Sequence, residues 1–405
     1  MILALPLFAC RMLGVIALPG ESLSATNSEG EWHPYLMDEL EEFRRQGGSG
    51  GWPYNNRDGW AMTSYSMDGG LPLYQTIRSD IEAYSDAEYY YHTSVLLAAP
   101  EVPILLGHLR QTSSGAGDIE NPHPFIFQSE SGEIYSFAHN GDVGKEELRT
   151  LIGDEWLNLH PPQTYGGGPW NGSGWDDVVD SELFFFWIVK NIEETGGIYE
   201  GIQQAMIILE EQQPFMLKNF LFSDGHDLYG YRRSSMSDIH YFDASDEANF
   251  PQYLSESNHS AIMSTPPTDG AASELPWIEL PDRALVVLTA NGSTEIYEDF
   301  LLTGLEAPVQ IPEQSELSPA YPNPFNNATV IPLRVDGSGD YKLEVYDALG
   351  HQVYSKSIEI AGRSEYEFYW SGTDLQGKDL NSGSYIYRVS QDSDIIGTGK
   401  LLLLK

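Results

Sequence analysis

The sequence predicts an α+β amino-terminal body followed by a separate all-β module. Three observations carry this prediction. Helix-period and strand-period segments alternate over residues 10–305, and a Pro- and Glu-rich stretch interrupts the pattern from Glu306 to Pro319. Beyond that stretch every periodic segment has the two-residue period of a strand.

The elements follow in order. A helix is expected from His33 to Gln46, with Leu36, Leu40 and Phe43 on one face and Gly47-Gly48 as its stop. A second is expected to begin at Ser79, where Ser79-Asp-Ile-Glu82 spells a capping box. The apolar run Val102–Leu106 reads as a buried strand leading into Gly107-His-Leu-Arg110. Phe125-Ile-Phe127 and Ile134–Phe137 form a hairpin pattern, as do Phe220-Leu-Phe222 and Leu228–Tyr231 around Asp224-Gly225. Apolar helices are expected over Glu182–Glu194, closed by Gly196-Gly197, and over Ile198–Gln212. The Pro- and Gly-rich residues 160–175 between these segments form a covering loop. In the last module Tyr341–Val345, Ser364–Trp370 and Tyr385–Val389 alternate, and glycine turns separate them, the pattern of a small sandwich.

Composition narrows the function classes. Sixty acids against 21 bases give a formal net charge of −39, a surface that repels phosphate backbones and anionic lipid. Nucleic acid is therefore excluded as an expected partner. No stretch of about 20 apolar residues exists, so no spanning helix is expected. A single cysteine, Cys10, rules out a disulfide framework within one chain and a thiolate metal cluster. Residues 1–9 are apolar and end in Ala9, like the end of a signal peptide, without its usual basic residue or length.

Four segments together carry chemistry: Ala9-Cys-Arg-Met-Leu-Gly14, Gly107-His-Leu-Arg-Gln-Thr-Ser-Ser-Gly115, Phe137-Ala-His-Asn-Gly141 and Asp180-Ser-Glu182. Asn56-Arg-Asp-Gly-Trp60 and Asn121-Pro-His-Pro-Phe125 lie between them. In this order they resemble the class II glutamine amidotransferase domain, in the stand-alone branch that includes the ergothioneine-pathway γ-glutamyl hydrolases. The resemblance extends over about residues 10–300, through Phe222-Ser-Asp-Gly and Leu275-Pro-Trp277. It implies a four-layer αββα sandwich, the N-terminal-nucleophile hydrolase fold.

The resemblance also implies roles, and the residue types suit them. A cysteine at a mature chain start supplies both a thiol nucleophile and an α-amine, whose ordinary pKa of about 8 lets it act as base near neutrality. Cys10 is that residue if residues 1–9 are removed. Asn140 and Gly141 match the oxyanion hole, through the Asn side-chain amide and the Gly N–H. Arg110 matches the arginine that clamps the substrate α-carboxylate, a task its planar fork suits better than a lysine. Asp180 matches the aspartate that holds the α-ammonium, although Asp180 or Ser181 could also cap the helix that follows. Ser113 lies where substrate contact is possible. His108, His123 and His139 are assigned no chemistry, no His and carboxylate spacing argues for a metal, and no cofactor is implied.

The C-terminal module has its own resemblance. Leu317-Ser-Pro-Ala-Tyr-Pro-Asn-Pro-Phe-Asn326, Val345-Tyr-Asp-Ala-Leu-Gly350, Trp370-Ser-Gly-Thr-Asp374 and Ser382-Gly-Ser-Tyr-Ile-Tyr387 are similar to the type IX secretion sorting domains. These are Ig-like sandwiches that close on a basic-tipped strand, as Lys400-Leu-Leu-Leu-Leu-Lys405 does. The expected organisation is a signal-like segment 1–9, an amidotransferase domain 10–305, a linker 306–318 and a sorting domain 319–405. The expected function is a secreted or cell-surface cysteine amidohydrolase. Its small-molecule substrate is glutamine or a γ-glutamyl compound, cleaved through a thioester, and its partner is the secretion machinery. The alternative is an inactive surface lipoprotein or binding protein that keeps the fold, since Leu7-Phe-Ala-Cys10 roughly fits a lipobox and acylation would consume the amine.

Overall fold

The computed structural model describes residues 10–24, 33–48, 56–68, 71–112, 119–129, 131–214, 216–233, 238–245, 257–298, 300–301, 316–317, 320–326, 328–335, 339–347, 349–360, 364–391 and 394–404. The chain divides into two compact units, one within Phe8–Leu302 and one that holds Thr303–Lys405.

The first unit is built on two antiparallel sheets. One holds β1 (Arg11–Ala17), β2 (Trp60–Asp68), β3 (Leu71–Ser79), β4 (Ile104–Leu109), β9 (His240–Phe242), β10 (His259–Met263) and β11 (Ile278–Glu279), in the order β11-β9-β10-β1-β4-β2-β3. The other holds β5 (Phe125–Gln128), β6 (Ile134–Gly141), β7 (Lys218–Ser223), β8 (Leu228–Tyr231), β12 (Leu285–Leu288) and β13 (Thr294–Tyr297), in the order β13-β12-β8-β7-β6-β5. The helices are α1 (Pro34–Gln46), α2 (Tyr89–Leu96), α3 (Lys145–Ile152), α4 (Asp154–Leu159), α5 (Asp180–Thr195) and α6 (Ile198–Gln212).

Strand alternation sorts the core into three apolar clusters. Met12 and Ile16 of β1 join Ile104 and Leu106 of β4, and these meet Ala138, Leu221, Leu228 and Val286 of the other sheet. The intervening residues Leu13, Val15, Leu105 and Leu109 face the opposite way, onto Leu36, Leu40 and Phe43 of α1 and Tyr89 and Leu96 of α2. The outer face of the second sheet, with Phe137, Phe220, Phe222 and Tyr231, packs on Leu183, Phe184 and Phe185 of α5 and Ile202 and Met206 of α6. Each fully buried Phe or Leu contributes about 1.5–3 kcal/mol, so this stripe fixes α5 firmly on the sheet.

Most expected elements form, with shifts of up to four residues at their ends. The exception is the helix expected from Ser79. Ser79 instead ends β3, and its hydroxyl accepts from the Ile81 N–H at 3.2 Å and donates to Asp86 at 2.9 Å. Asp86 also accepts from the Trp60 indole and the Glu88 N–H, both at 2.9 Å. These side-chain bonds favour a turn over a helix, and α2 starts only at Tyr89.

The C-terminal unit is all-β. Strands β14 (Glu316–Leu317), β15 (Thr329–Val335) and β18 (Ser364–Trp370) form one sheet in the order β14-β15-β18. Strands β16 (Gly339–Tyr346), β17 (Gln352–Ile360), β19 (Gly383–Gln391) and β20 (Asp394–Leu403) form another, ordered β17-β16-β19-β20. Ile331, Leu333, Phe368 and Trp370 of the first share a core with Tyr341, Leu343, Val389 and Leu401 of the second. Glu316 and Leu317 lie inside the stretch expected to be linker and pair instead with Arg334 and Leu333. Residues 306–315 and 318 fall outside the described residues.

Candidate active site

Cys10 precedes β1 directly and is half-buried. Because β1 pairs antiparallel with β4, with Arg11 opposite Leu109, the thiol meets the chain just beyond the end of β4. The Gln111 N–H donates to Sγ at 3.3 Å, and Sγ lies 3.6 Å from the Gln111 carbonyl oxygen. Burial pushes the Cys10 thiol up to about 11, with Gln111, Arg110 and Arg11 pulling down and Asp180 adding to the rise. At neutral pH it is a thiol, so nucleophilic attack from it needs a base.

Arg110 leaves β4 buried, 3% exposed. Its N–H donates to Gly59 O at 3.0 Å and its carbonyl accepts from the Asp58 N–H at 3.2 Å. The Asp58 carboxylate receives the Thr112 N–H at 2.7 Å, so the Asn56–Trp60 segment brackets the arginine. Gly59 makes this possible: its φ is +98°, and a Cβ there would come 2.3 Å from Ser79 O. One guanidinium nitrogen donates to Ile119 O at 3.2 Å. Burial lowers the Arg110 pKa, while Cys10, Asp58 and Tyr165 are the ionisable groups that counteract it. Tyr165 belongs to the loop 160–175 and brings that loop within electrostatic reach of the arginine.

Asn140 and Gly141 end β6, opposite Asn219 and Lys218 of β7. Asn140 is buried. A Cβ on Gly141 would lie 1.9 Å from Leu217 O and 2.6 Å from His139 Nε2, so only glycine lets the strand end pass there.

Asp180 is the first residue of α5 and is buried, 3% exposed. Val179 is the N-cap and makes no side-chain cap bond. The N-cap position is thus held by Val179 rather than by Asp180 or Ser181. Asp180 Oδ2 accepts from the Val143 N–H at 3.0 Å, and Ser181 Oγ meets His139 Nδ1 at 2.9 Å. Both side chains reach across to β6 or to the turn just after it. Burial first, and then the nearby Asp180 carboxylate, raise the Asp142 pKa to about 8.

The three histidines form a buried support. His108 contacts the Asn121 amide through Nδ1 and the His139 carbonyl through Nε2 at 3.2 Å, and its ring stacks on His123 at 3.9 Å between centroids. Neither ring nitrogen of His123 has a hydrogen-bond partner. Burial pushes the pKa of all three down, so they are neutral at pH 7.

Cys10 lies against the Gln111 backbone, next to Arg110 in sequence, and both Arg110 and Asp180 are within electrostatic reach of its thiol. Asn140 and Gly141 precede Val143, whose N–H bonds the Asp180 carboxylate. Ser113 and residues 1–9 lie outside the described residues. Sequence reasoning missed Asp142, Asp58 and the Gln111 backbone. Asp142 directly follows Asn-Gly and reads as a turn residue, and no local spacing reveals a neighbour 38 positions on. Among the described residues no group of three or more His, Cys, Asp or Glu could hold a metal ion.

A model of the family "Glutamine amidotransferases class-II" matches residues 36–299, and one of the "Secretion system C-terminal sorting domain" matches residues 319–403. No curated protein matches the chain. Among solved structures it is similar to a glutamine phosphoribosylpyrophosphate amidotransferase from B. subtilis, at 12% identity over 71% of this chain and 49% of that one, TM-score 0.43. It is similar also to a glutamine aminotransferase class-II domain protein from Silicibacter pomeroyi, at 16% identity over 71% and 98% of the two chains, TM-score 0.38. A predicted glutamine amidotransferase from Pseudomonas aeruginosa is similar at 15% identity over 72% of this chain and 96% of that one, TM-score 0.32. The chain spans about half the length of the B. subtilis enzyme.

Proposed function

Because the chain belongs to the class II glutamine amidotransferases and carries a secretion sorting domain, which marks it as secreted or cell-surface, we propose that it is a cysteine amidohydrolase. Its substrate is the γ-amide of glutamine or of a γ-glutamyl compound. The observation that carries this reading is a half-buried thiol held against the Gln111 backbone, with buried Arg110 and buried Asp180, groups of opposite charge, within electrostatic reach of it. An α-amino acid head offers both complementary charges.

In the proposed mechanism residues 1–9 are removed and the freed α-amine of Cys10 takes the thiol proton. Sγ then bonds to the amide carbon, and the oxyanion accepts hydrogen bonds from the Asn140 side chain and the Gly141 N–H. The amine passes its proton to the leaving nitrogen as the C–N bond breaks, leaving a γ-glutamyl thioester. Water, deprotonated by the same amine, cleaves the thioester and regenerates the thiol. Arg110 clamps the α-carboxylate and Asp180 the α-ammonium, and Ser113 is the further substrate-contact residue that the resemblance implies. The thiol pKa of about 11 supports the need for that base.

The fold reading accompanies this one. Three core clusters, one between the sheets and one under each helical layer, support a four-layer αββα N-terminal-nucleophile sandwich for residues 10–305. The shared core of the last two sheets supports an Ig-like sandwich for 319–405, after a linker at 306–318.

The test is mass spectrometry of the mature N-terminus with turnover of Cys10→Ala. The expected result is a chain that begins with an unmodified Cys10, and an Ala variant that binds substrate without hydrolysing it. Full activity in a chain that retains Met1, or equal turnover by Cys10→Ala, overturns the mechanism. An acylated Cys10 amine favours the lipoprotein instead.

A further inference from the structure

We propose that His108 is the positioning residue of the oxyanion hole: its Nε2–H holds the His139 carbonyl, and with it the end of β6, in place against the strand that leads to Arg110. This rests on the γ-glutamyl reading above and deepens it, because Asn140 and Gly141 follow His139 directly and Arg110 follows His108 by two residues.

Strand alternation brings the two residues together. Ile104 and Leu106 of β4 face the other sheet, so His108 faces it too, and Ala138 of β6 faces back with Asn140 on its side of the strand. Backbone groups along β6 alternate between its two neighbours. The Asp142 N–H donates to Leu217 O on the β7 side at 3.1 Å, so the carbonyl of His139, three residues earlier, points to the β5 side. Strand β5 pairs with β6 only as far as Phe125 opposite Phe137, and among the described residues no strand runs along that edge beyond it. Pro122 and Pro124, in the approach to β5, have no N–H to offer, and that of His123 goes to Asn121 Oδ1 at 3.2 Å. A buried carbonyl at this place needs a donor, and His108 Nε2, 3.2 Å away, supplies it from the other sheet.

The tautomer is set from the other side of the ring. Asn121 Nδ2 donates to the His108 carbonyl at 3.1 Å, which with the His123 N–H on Oδ1 fixes the amide orientation. The same Nδ2 lies 2.9 Å from His108 Nδ1, so Nδ1 accepts and the ring proton sits on Nε2. His108 and Asn121 are wholly buried, and the His123 ring stacks on His108 at 3.9 Å between centroids. Burial, against the pull of its two hydrogen bonds, pushes the His108 pKa down to about 3 and leaves the ring neutral. His139 carries the brace onward: its Nδ1 accepts from Ser181 Oγ at 2.9 Å and its Nε2 donates to Leu217 O at 3.2 Å. One chain of bonds thus runs from β4 through the end of β6 to Ser181, the neighbour of Asp180. It ties the strand of Arg110, the oxyanion residues and the start of α5 into one spacing. A misplacement of about 1 Å costs about a hundredfold in rate, which is the scale such a brace protects.

The experiment uses the mature full-length enzyme and L-glutamine. His108→Phe keeps a flat ring on His123 and removes the donor, and it is expected to lower kcat by about tenfold to a hundredfold. KM, and the Kd for glutamine in the Cys10→Ala background, are expected to stay within about threefold, because the oxyanion exists only in the transition state. His108→Gln, whose amide N–H reaches toward the same carbonyl, is expected to keep kcat within about fivefold of the wild type. An unchanged kcat in His108→Phe overturns the proposal. So does a loss spread equally over kcat, KM and Kd, the mark of a merely structural role, or one that His108→Gln fails to recover. A His108→Phe chain that does not fold leaves the decision to the wild type. There 15N NMR of the labelled histidines, with His108→Gln identifying the signals, is expected to show His108 as the neutral Nε2–H tautomer at pH 7; the Nδ1–H tautomer or a charged ring overturns the proposal. Each of these failures leaves glutamine hydrolysis by the wild type, and so the γ-glutamyl reading, intact. A wild type that cleaves no γ-glutamyl amide overturns that reading, and the positioning role falls with it.

Discussion

Replacing Glu182 by Gln is expected to change how stability depends on pH. Glu182 lies in the first turn of α5, 4% exposed, and its Oε2 accepts the Gln163 N–H at 3.0 Å. Burial drives its pKa to about 8, against a downward pull from that N–H and from Arg78. An acid whose pKa is raised by folding holds its proton in the folded chain and loses it in the unfolded one, between an ordinary carboxyl value of 4.5 and about 8. The folded state then binds more protons than the unfolded state, so stability falls as pH rises through this window, opposite to a salt-bridged carboxylate. The slope is at most about 1.4 kcal/mol per pH unit, or about 5 kcal/mol over the whole window. Hydration of the carboxylate by local opening of the 160–175 loop lowers that bound, and about 2 kcal/mol between pH 5 and pH 8 is expected. Gln keeps the acceptor oxygen and the shape but does not titrate. Urea unfolding of the full chain at pH 5, 6, 7 and 8, followed by Trp fluorescence, measures the difference. Glu182→Gln is expected to match the wild type at pH 5 and exceed it increasingly toward pH 8. Parallel stability curves for the two proteins would refute the argument that burial keeps Glu182 protonated.

Two further outcomes follow from the site and the two units. Arg110→Lys keeps the charge and loses the fork, so KM for glutamine rises more than kcat falls, and a substrate with a blocked α-carboxylate loses less than glutamine does; steady-state kinetics on the pair of substrates decides it, and an equal loss on both rules out the clamp. Deleting residues 306–405 leaves kcat/KM of the purified enzyme within about twofold and stops its export, as the separate cores of the two units suggest; a folded truncation without activity would contradict this.

Strand and helix placement was legible wherever a single face is buried. Leu36, Leu40 and Phe43 mark α1 at helical spacing, and Tyr341, Leu343 and Val345 mark β16 at strand spacing. The Ser79 capping box misled because Asp86, seven residues on, competes for the same hydroxyl. The sequence by itself determined which residue types were available for chemistry: one thiol, an arginine at the end of an apolar strand, an Asn-Gly step and an Asp at the start of a helix. Only the tertiary structure decided which of them meet. Antiparallel pairing of β1 with β4 sets Cys10 against Gln111, and packing of α5 on β6 carries Asp180 to Val143 and Asp142. Both contacts join residues far apart in the chain, and local periodicity holds no record of such distances. The charge states are likewise tertiary: the Asp142 and Glu182 carboxyls look like any others in the sequence, and it is removal of water around them, fixed by neighbouring layers, that raises their pKa.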